Sequence, residues 1–296
     1  MDGNNLGAKP SGTRKSDKSL SMSVIITTYN QPKWLAKVLW GFETQSYGDF
    51  EIVIADDGSG KETQQVIEMF KERTSLNVIH VWHPDEGFRK CTILNKAILK
   101  SSGDYLVFTD GDCIPRSDFL LHHYLNAQEN RFLSGGYLKL DTEVSHAITR
   151  DDIMNGNPFS IKWLLKNGQP LTLKLAKLSK SPIFTSIMNS LTTTKPTWNG
   201  HNSSGWKSDL VKVNGYNEQM QYGGLDRELG ERLVNAGVQG KQIRYSAVCV
   251  HLNHPRPYRN MELILNNRAI RKHVRENKVA WASSGISIHS DDHSSR

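Results

Sequence analysis

Apolar residues in the first third of the chain fall into four short runs, separated by stretches with helical spacing. The runs are Ser23-Val24-Ile25-Ile26-Thr27, Phe50-Glu51-Ile52-Val53-Ile54-Ala55, Val78 to Trp82, and Tyr105-Leu106-Val107-Phe108-Thr109. Each is short and bounded by turn residues, which predicts a buried strand. Pro32 suits a first helical position, and Trp34, Leu35, Val38, Leu39 and Phe42 then recur on one helical face. Val66, Ile67 and Phe70 mark a second helix, and Lys90 to Lys100 a third, with Ile93, Leu94, Ala97 and Ile98. Four alternations of strand and helix argue for an α/β fold, a mostly parallel central sheet flanked by helices. Ligands of such sheets bind outside the carboxyl ends of the strands. Tyr29-Asn30, Asp56-Asp57, Arg89-Lys90 and Asp110-Gly111-Asp112 all follow strand ends, so they are expected to converge on one crevice.

Beyond Leu120 the pattern loosens. Arg131 to Leu140 reads as a strand pair around Gly135-Gly136, and Ile161 to Phe184 mixes leucines with lysines. Tyr222-Gly223-Gly224 leads into a helix beginning near Asp226, with Leu225, Leu229 and Leu233 four residues apart. Tyr245 to Leu252 reads as a late strand and Met261 to Lys278 as a late helix. Arg268, Arg271, Lys272, Arg275 and Lys278 share one face of that helix, apart from an apolar stripe of Leu263, Ile270 and Val274. Such a helix either lies on an anionic membrane surface or packs its stripe on the rest of the domain.

Composition narrows the partners. The 296 residues are 37% hydrophobic with a formal net charge of +7, which suits an anionic partner. No nucleic-acid motif is present, so no nucleic-acid partner is expected. Neither a G-x-G-x-x-G nor a G-x-x-x-x-G-K-[ST] loop follows the first strand, which argues against dehydrogenases and P-loop NTPases. Three scattered cysteines suit a reduced, cytoplasmic chain. No apolar run is long enough to span a membrane. Residues 1–21 are polar and read as a disordered leader, and residues 287–296 as a flexible tail.

Candidate chemistry sits at the strand ends. Asp110 and Asp112, one residue apart, can present oxygens to one hard cation, and a cation there can hold a diphosphate; the alternative is a plain turn. Asp226 follows two glycines at a helix start. It is either a general base on a loop that backbone can approach closely, or an acid favoured there by the helix dipole. His251, with His254 three residues on, adds an imidazole that suits Mn2+ better than Mg2+. Tyr29 offers a ring for base stacking, Asp56 and Asp57 carboxylates for a base and ribose, and Arg89 and Lys90 cations for phosphate.

Together these motifs resemble the family 2 glycosyltransferases of the GT-A nucleotide-diphospho-sugar transferase fold, over roughly Ser23 to Pro255. The second half is similar to the galactosyltransferase and chondroitin-polymerase type, through Val213-Asn214-Gly215-Tyr216-Asn217 and Tyr222-Gly223-Gly224-Leu225-Asp226-Arg227-Glu228. The resemblance implies that Tyr29 and Asp57 hold the nucleotide with help from Asp56, and that Arg89 and Lys90 sit by the diphosphate. It further implies that Asp110, Asp112 and His251 bind Mn2+ or Mg2+, and that Asp226 is the catalytic base. Thr27, Asp110, His201, Tyr222, Gly223 and Gly224 complete the implied substrate-binding set. Leu225 stands where the family often has an acid that helps bind the acceptor. The implied domains are a catalytic domain over residues 22–255, split into a nucleotide-sugar half (22–116) and an acceptor half (117–255), then a basic helix over 256–286. The implied activity is an inverting, metal-dependent transfer from a nucleotide sugar, UDP-linked, to a glycan or lipid-linked acceptor in surface polysaccharide or lipopolysaccharide synthesis. The implied location is the cytoplasm, with peripheral contact at the inner face of the membrane. The rival readings are a nucleotidyltransferase and a sugar-binding module without turnover.

Overall fold

The four apolar runs form the parallel centre of a seven-stranded sheet. A computed structural model describes residues 20–254 and 261–289, so the expected leader lies outside the described residues but for Leu20 and Ser21. In chain order the first half is β1 (Met22–Thr28), α1 (Pro32–Glu43), β2 (Phe50–Asp56), α2 (Lys61–Arg73), β3 (Val78–Trp82), α3 (Lys90–Lys100) and β4 (Tyr105–Asp110). β1 pairs in parallel with both β2 and β4, and β2 with β3. Strand order therefore reverses beside β1, the place where an open sheet leaves a crevice. The register sets Thr28 beside Asp56 and Thr27 beside Asp110. The acidic strand ends are neighbours for that reason.

β1 is buried along almost its whole length, and apolar at its centre, because both its faces are covered. Val24 and Ile26 join a core with Leu35, Val38 and Leu39 of α1 and Ile67 and Phe70 of α2. Ile25 points the other way, into a second core with Ile93, Leu94 and Ala97 of α3. Pro32 opens α1, and Asn30, at φ 48°, turns the chain just before it.

The second half extends the same sheet and adds a small one. It runs β5 (Cys113–Pro115), α4 (Phe119–Asn126), β6 (Arg131–Ser134), β7 (Gly136–Lys139), α5 (Thr142–Ala147), α6 (Arg150–Met154), α7 (Ile161–Lys166) and α8 (Pro182–Leu191). Then come β8 (Ser203–Trp206), α9 (Lys207–Lys212), α10 (Leu225–Asn235), β9 (Gln239–Gln242), β10 (Val248–His251) and α11 (Met261–Glu276). The large sheet has the order β3-β2-β1-β4-β8-β6-β9, with β8 antiparallel to β4 and β6. The small one is β5-β10-β7. The expected strand pair around Gly135-Gly136 is corrected: β6 and β7 belong to different sheets. Asn202 wedges at that corner, where a Cβ on Gly135 would lie 2.0 Å from its Oδ1. The late strand is also shorter than expected.

α11 packs its apolar stripe on the domain. Val274 is buried and Ile270 packs against the second core. Two of the five basic residues pair with Glu231 of α10, Arg271 at 2.6 Å and the half-exposed Arg275 at 2.9 Å. Arg268 and Lys272 stay exposed, and the helix ends at Glu276, two residues short of the expected Lys278, so the basic face is smaller than its spacing predicts. The beginning of the expected flexible tail is also held. Ser287 donates its N–H to Asn214 Oδ1 at 2.8 Å, and His289 pairs with Glu218 at 2.6 Å. Residues 290–296 lie outside the described residues. No helix among the described residues is long and apolar enough to cross a membrane.

Candidate active site

The acidic end of β4 is built by close backbone contact. Gly111 donates its N–H to Thr27 O at 2.7 Å, and a Cβ there would come within 2.8 Å of the same oxygen. This sends Asp110 and Asp112 in different directions. Asp110 Oδ1 accepts from Thr27 Oγ1 at 2.8 Å and Lys90 Nζ at 2.6 Å. Burial works against ionisation of Asp110, but Lys90 outweighs it and holds the carboxyl well below the usual range. Burial likewise works against a charged Lys90; Asp110 and Asp226 outweigh it and keep the ammonium charged.

Asp112 faces β10. Its Oδ2 lies 2.8 Å from His254 Nε2 and 3.4 Å from His251 Nε2. The register pairs His251 with Cys113, and Leu252 donates its N–H to Asp112 O at 2.8 Å, which fixes this juxtaposition. Asp112, Cys113 and His251 offer ligand atoms within 4.8 Å of one another. A carboxylate and an imidazole fit a divalent cation such as Mn2+. Burial pushes the Cys113 thiol well up, so it stays protonated and a poor ligand for a hard cation. Asp110, also expected as a metal ligand, lies outside this group and is paired with Lys90.

Asp226 sits in the first turn of α10, brought there by Gly223 and Gly224 at φ 107° and 92°. Both glycines are needed, since side chains rarely adopt such angles. Asn267 of α11 fastens the loop: its amide donates to the carbonyls of Gln221, Tyr222 and Gly223 at 2.9, 3.2 and 2.9 Å. Asp226 packs against Gly200, where a Cβ would lie 2.8 Å from Oδ1. That Oδ1 is buried without a hydrogen-bond partner. Burial pushes the carboxyl up from an ordinary 3.8 to about 6; Lys90 opposes the rise and Asp110 adds to it. His201 follows Gly200, its ring 4.5 Å from that of Tyr137. Burial lowers His201 to about 4, so it is neutral at neutral pH.

On the nucleotide side the expected residues divide. Tyr29 is half exposed and donates to Asp85 Oδ2 at 2.8 Å. Asp57 is held by His83 at 2.8 Å and by the N–H of Arg89 at 3.0 Å. Burial pushes Asp57 up, while His83 and Arg89 pull it down. Asp56 is fully buried, accepting from the Ser59 N–H at 2.8 Å and pairing with His80 at 3.0 Å. It builds the turn after β2 and does not line the crevice. Arg89 turns its guanidinium to Glu86, so Lys90 is the cation of the pair that reaches the acidic centre. Glu228, two residues from Asp226, is no rival base: it is buried in a two-bond pair with Arg232 at 2.8 and 2.9 Å. Tyr222 meets Phe88 edge-on, with ring centroids 6.2 Å apart.

Asn267 and Asp85 carry no sequence signal. His254 had one, its spacing from His251, but only the fold sets it on Asp112.

A family model described as glycosyl transferase family 2 matches residues 23–179. Chondroitin synthase from Pasteurella multocida is 28% identical over 160 residues, covering 53% of this chain and 16% of that protein. Chondroitin synthase from Escherichia coli is 24% identical over 259 residues, 79% of this chain and 35% of that protein. The chain thus spans a small part of the length of these relatives. The crystal structure of Staphylococcus aureus TarS 1-349 in complex with UDP-GlcNAc superposes with a TM-score of 0.58 at 16% identity, covering 87% of this chain and 69% of that one. Mannosyltransferase PcManGT from Pyrobaculum calidifontis, in complex with GDP-Man and Mn2+, gives 0.54 at 19% identity, covering 82% and 59%. At such identities the likeness is one of fold.

Proposed function

The chain belongs to glycosyl transferase family 2, and from that premise we propose that it moves a sugar from a nucleotide diphosphate to an acceptor hydroxyl, inverting the anomeric carbon. The observation that carries this reading is Asp226: a half-buried carboxylate whose Oδ1 is buried without a partner and whose pKa is raised, set beside Gly200 and near the Lys90–Asp110 pair. A general base works best with a pKa near the working pH. The acceptor oxygen attacks the anomeric carbon and its proton passes to Asp226. The bond to the diphosphate breaks, and its electron pair leaves on the phosphate oxygen. Lys90 offers a fixed positive charge beside that departing group. Asp112 and His251 would hold Mn2+ or Mg2+, which when bound supplies neutralising charge to the diphosphate. Tyr29 and Asp57 line the nucleotide end.

The TarS complex with UDP-GlcNAc supports a UDP-linked donor and the chondroitin synthases a polysaccharide product; synthesis of a surface polysaccharide or lipopolysaccharide at the cytoplasmic side belongs to the same proposal. The test is release of nucleoside diphosphate from a panel of UDP- and GDP-sugars, with and without Mn2+, by the wild type and Asp226→Asn. The variant is expected to bind UDP normally and to lose about 10²–10⁴-fold in turnover. Normal turnover by Asp226→Asn, or no turnover of any nucleotide sugar with any acceptor, would overturn the reading.

A further inference from the structure

Between Asp152 and Asp209 the chain carries seven lysines and no Asp or Glu. Five of these lysines, Lys162, Lys166, Lys174, Lys180 and Lys195, are exposed. Within this segment α8 is amphipathic in the sense opposite to a helix meeting water. Its polar side faces the protein: Thr185 is buried, Asn189 donates to Ser246 Oγ at 2.8 Å, and its Oδ1 accepts the Tyr245 N–H at 2.9 Å. Its apolar side faces out, with Ile183, Ile187 and Leu191, four residues apart, 75%, 51% and 71% exposed. Leu171 and Leu173, 78% and 97% exposed, precede it. A surface helix ordinarily turns its apolar stripe to the core, and large exposed apolar patches mark interaction surfaces.

We propose that this face, α8 with the lysine–leucine segment before it, docks on an anionic lipid bilayer. The isoleucines and leucines enter the boundary of the acyl chains, and the lysines meet the phosphates. Charge selects this occupant. A second copy would set like-charged lysines against one another across a two-fold interface, whereas a lysine-bearing segment without acids complements anionic headgroups. The face also connects to the active site. In the turn Leu173–Leu178, Lys177 Nζ donates to Tyr137 O at 2.8 Å, and the Tyr137 ring touches His201. A lipid-carried acceptor would thus arrive close to the site. That last point rests on the function proposed above; the docking does not.

The test needs no substrate, so its failure is separable from failure of the functional reading. The full chain is floated with vesicles of phosphatidylglycerol and phosphatidylcholine, and with phosphatidylcholine alone. Binding is expected to the anionic vesicles only, and to weaken in high salt. Ile183→Ser/Ile187→Ser/Leu191→Ser and Lys174→Gln/Lys180→Gln/Lys195→Gln should each weaken it at least tenfold, a lysine near such a surface contributing about fivefold. Both variants should keep wild-type circular dichroism and UDP binding. Arg268→Gln/Lys272→Gln/Lys278→Gln, on α11 and just past its end, should bind as wild type. No flotation at low salt, binding unchanged in the first two variants, or loss only in the α11 variant overturns the proposal. So does a concentration-dependent dimer, removed by the serine variant, without vesicle binding.

Discussion

Asp226 and Glu228 are two residues apart, both acids in the first turn of α10, yet their surroundings differ. Glu228 is spent on Arg232, whose guanidinium also donates to Val213 O and Gly215 O at 2.6 Å each. Asp226 keeps a buried oxygen without a partner. Glu228→Gln should therefore cost stability, about 3–5 kcal/mol for breaking a buried pair, with little change in turnover per folded molecule. Denaturant titration beside an activity assay checks both; lost turnover at full stability would reassign the base. Asp226 gives the reverse expectation. Its folded pKa, about 6, lies above its ordinary 3.8, so the folded state holds the proton more tightly. Stability falls as pH rises from about 4 to about 6, and the carboxylate is a net cost above that window. Asp226→Asn should thus stabilise the fold at pH 7, by roughly 1–3 kcal/mol, and remove the pH dependence. Thermal melts across pH in chelator read this directly. Turnover of the wild type should rise with pH through about 6.

At the scale of elements, the Gly223-Gly224 turn depends on α11, which follows it in sequence by some forty residues yet packs on it. A Cβ at Gly223 would meet Ile264 Cγ1 at 2.9 Å, at a φ that side chains rarely adopt. Gly223→Ala should cost about 1–3 kcal/mol and lower turnover more than donor affinity, because it displaces the base and not the nucleotide. Steady-state kinetics beside UDP titration separates the two. Asn267→Leu should act in the same direction, since the three carbonyls it satisfies would be left without its amide. Equal losses in turnover and UDP affinity would mean that α11 supports the whole crevice and not this turn alone. The basic positions of α11 show how tertiary structure divides a helical face: Glu231 pairs with Arg271 and Arg275 and leaves Arg268 and Lys272 to solvent.

For the whole molecule, the GT-A sheet brings the ends of β1, β2 and β4 together with β10 and α10, from both halves of the chain. A divalent cation bound by Asp112 and His251 should therefore stabilise the folded state only. Mn2+ with UDP should raise the melting temperature in proportion to the logarithm of ligand concentration, with about 2.7 kcal/mol gained at a hundredfold excess over Kd. Excess chelator should abolish turnover, and Asp112→Ala should remove both responses. Full turnover in chelator would mean that Lys90 alone supplies the positive charge.

The sequence by itself determined what is local. Runs of apolar residues made β1 to β4 legible, helical spacing placed α1, α2, α3, α10 and α11, and turn chemistry put carboxylates at strand ends. Those regularities follow from backbone periodicity and need no distant partner. The motif order also pointed to the family, and the family match bears that out. What only the tertiary structure decided is which of these groups are spare. Asp56 pairs with its own turn and His80, Arg89 with Glu86, Asp110 with Lys90 and Thr27, and Glu228 with Arg232. His254 reaches Asp112 across 142 positions. A carboxylate's charge, pKa and free lone pairs depend on neighbours within a few ångströms, and long-range contacts supply most of them here. Strand periodicity does not encode those contacts, which is also why β6 and β7, adjacent in sequence, part into separate sheets at Gly135.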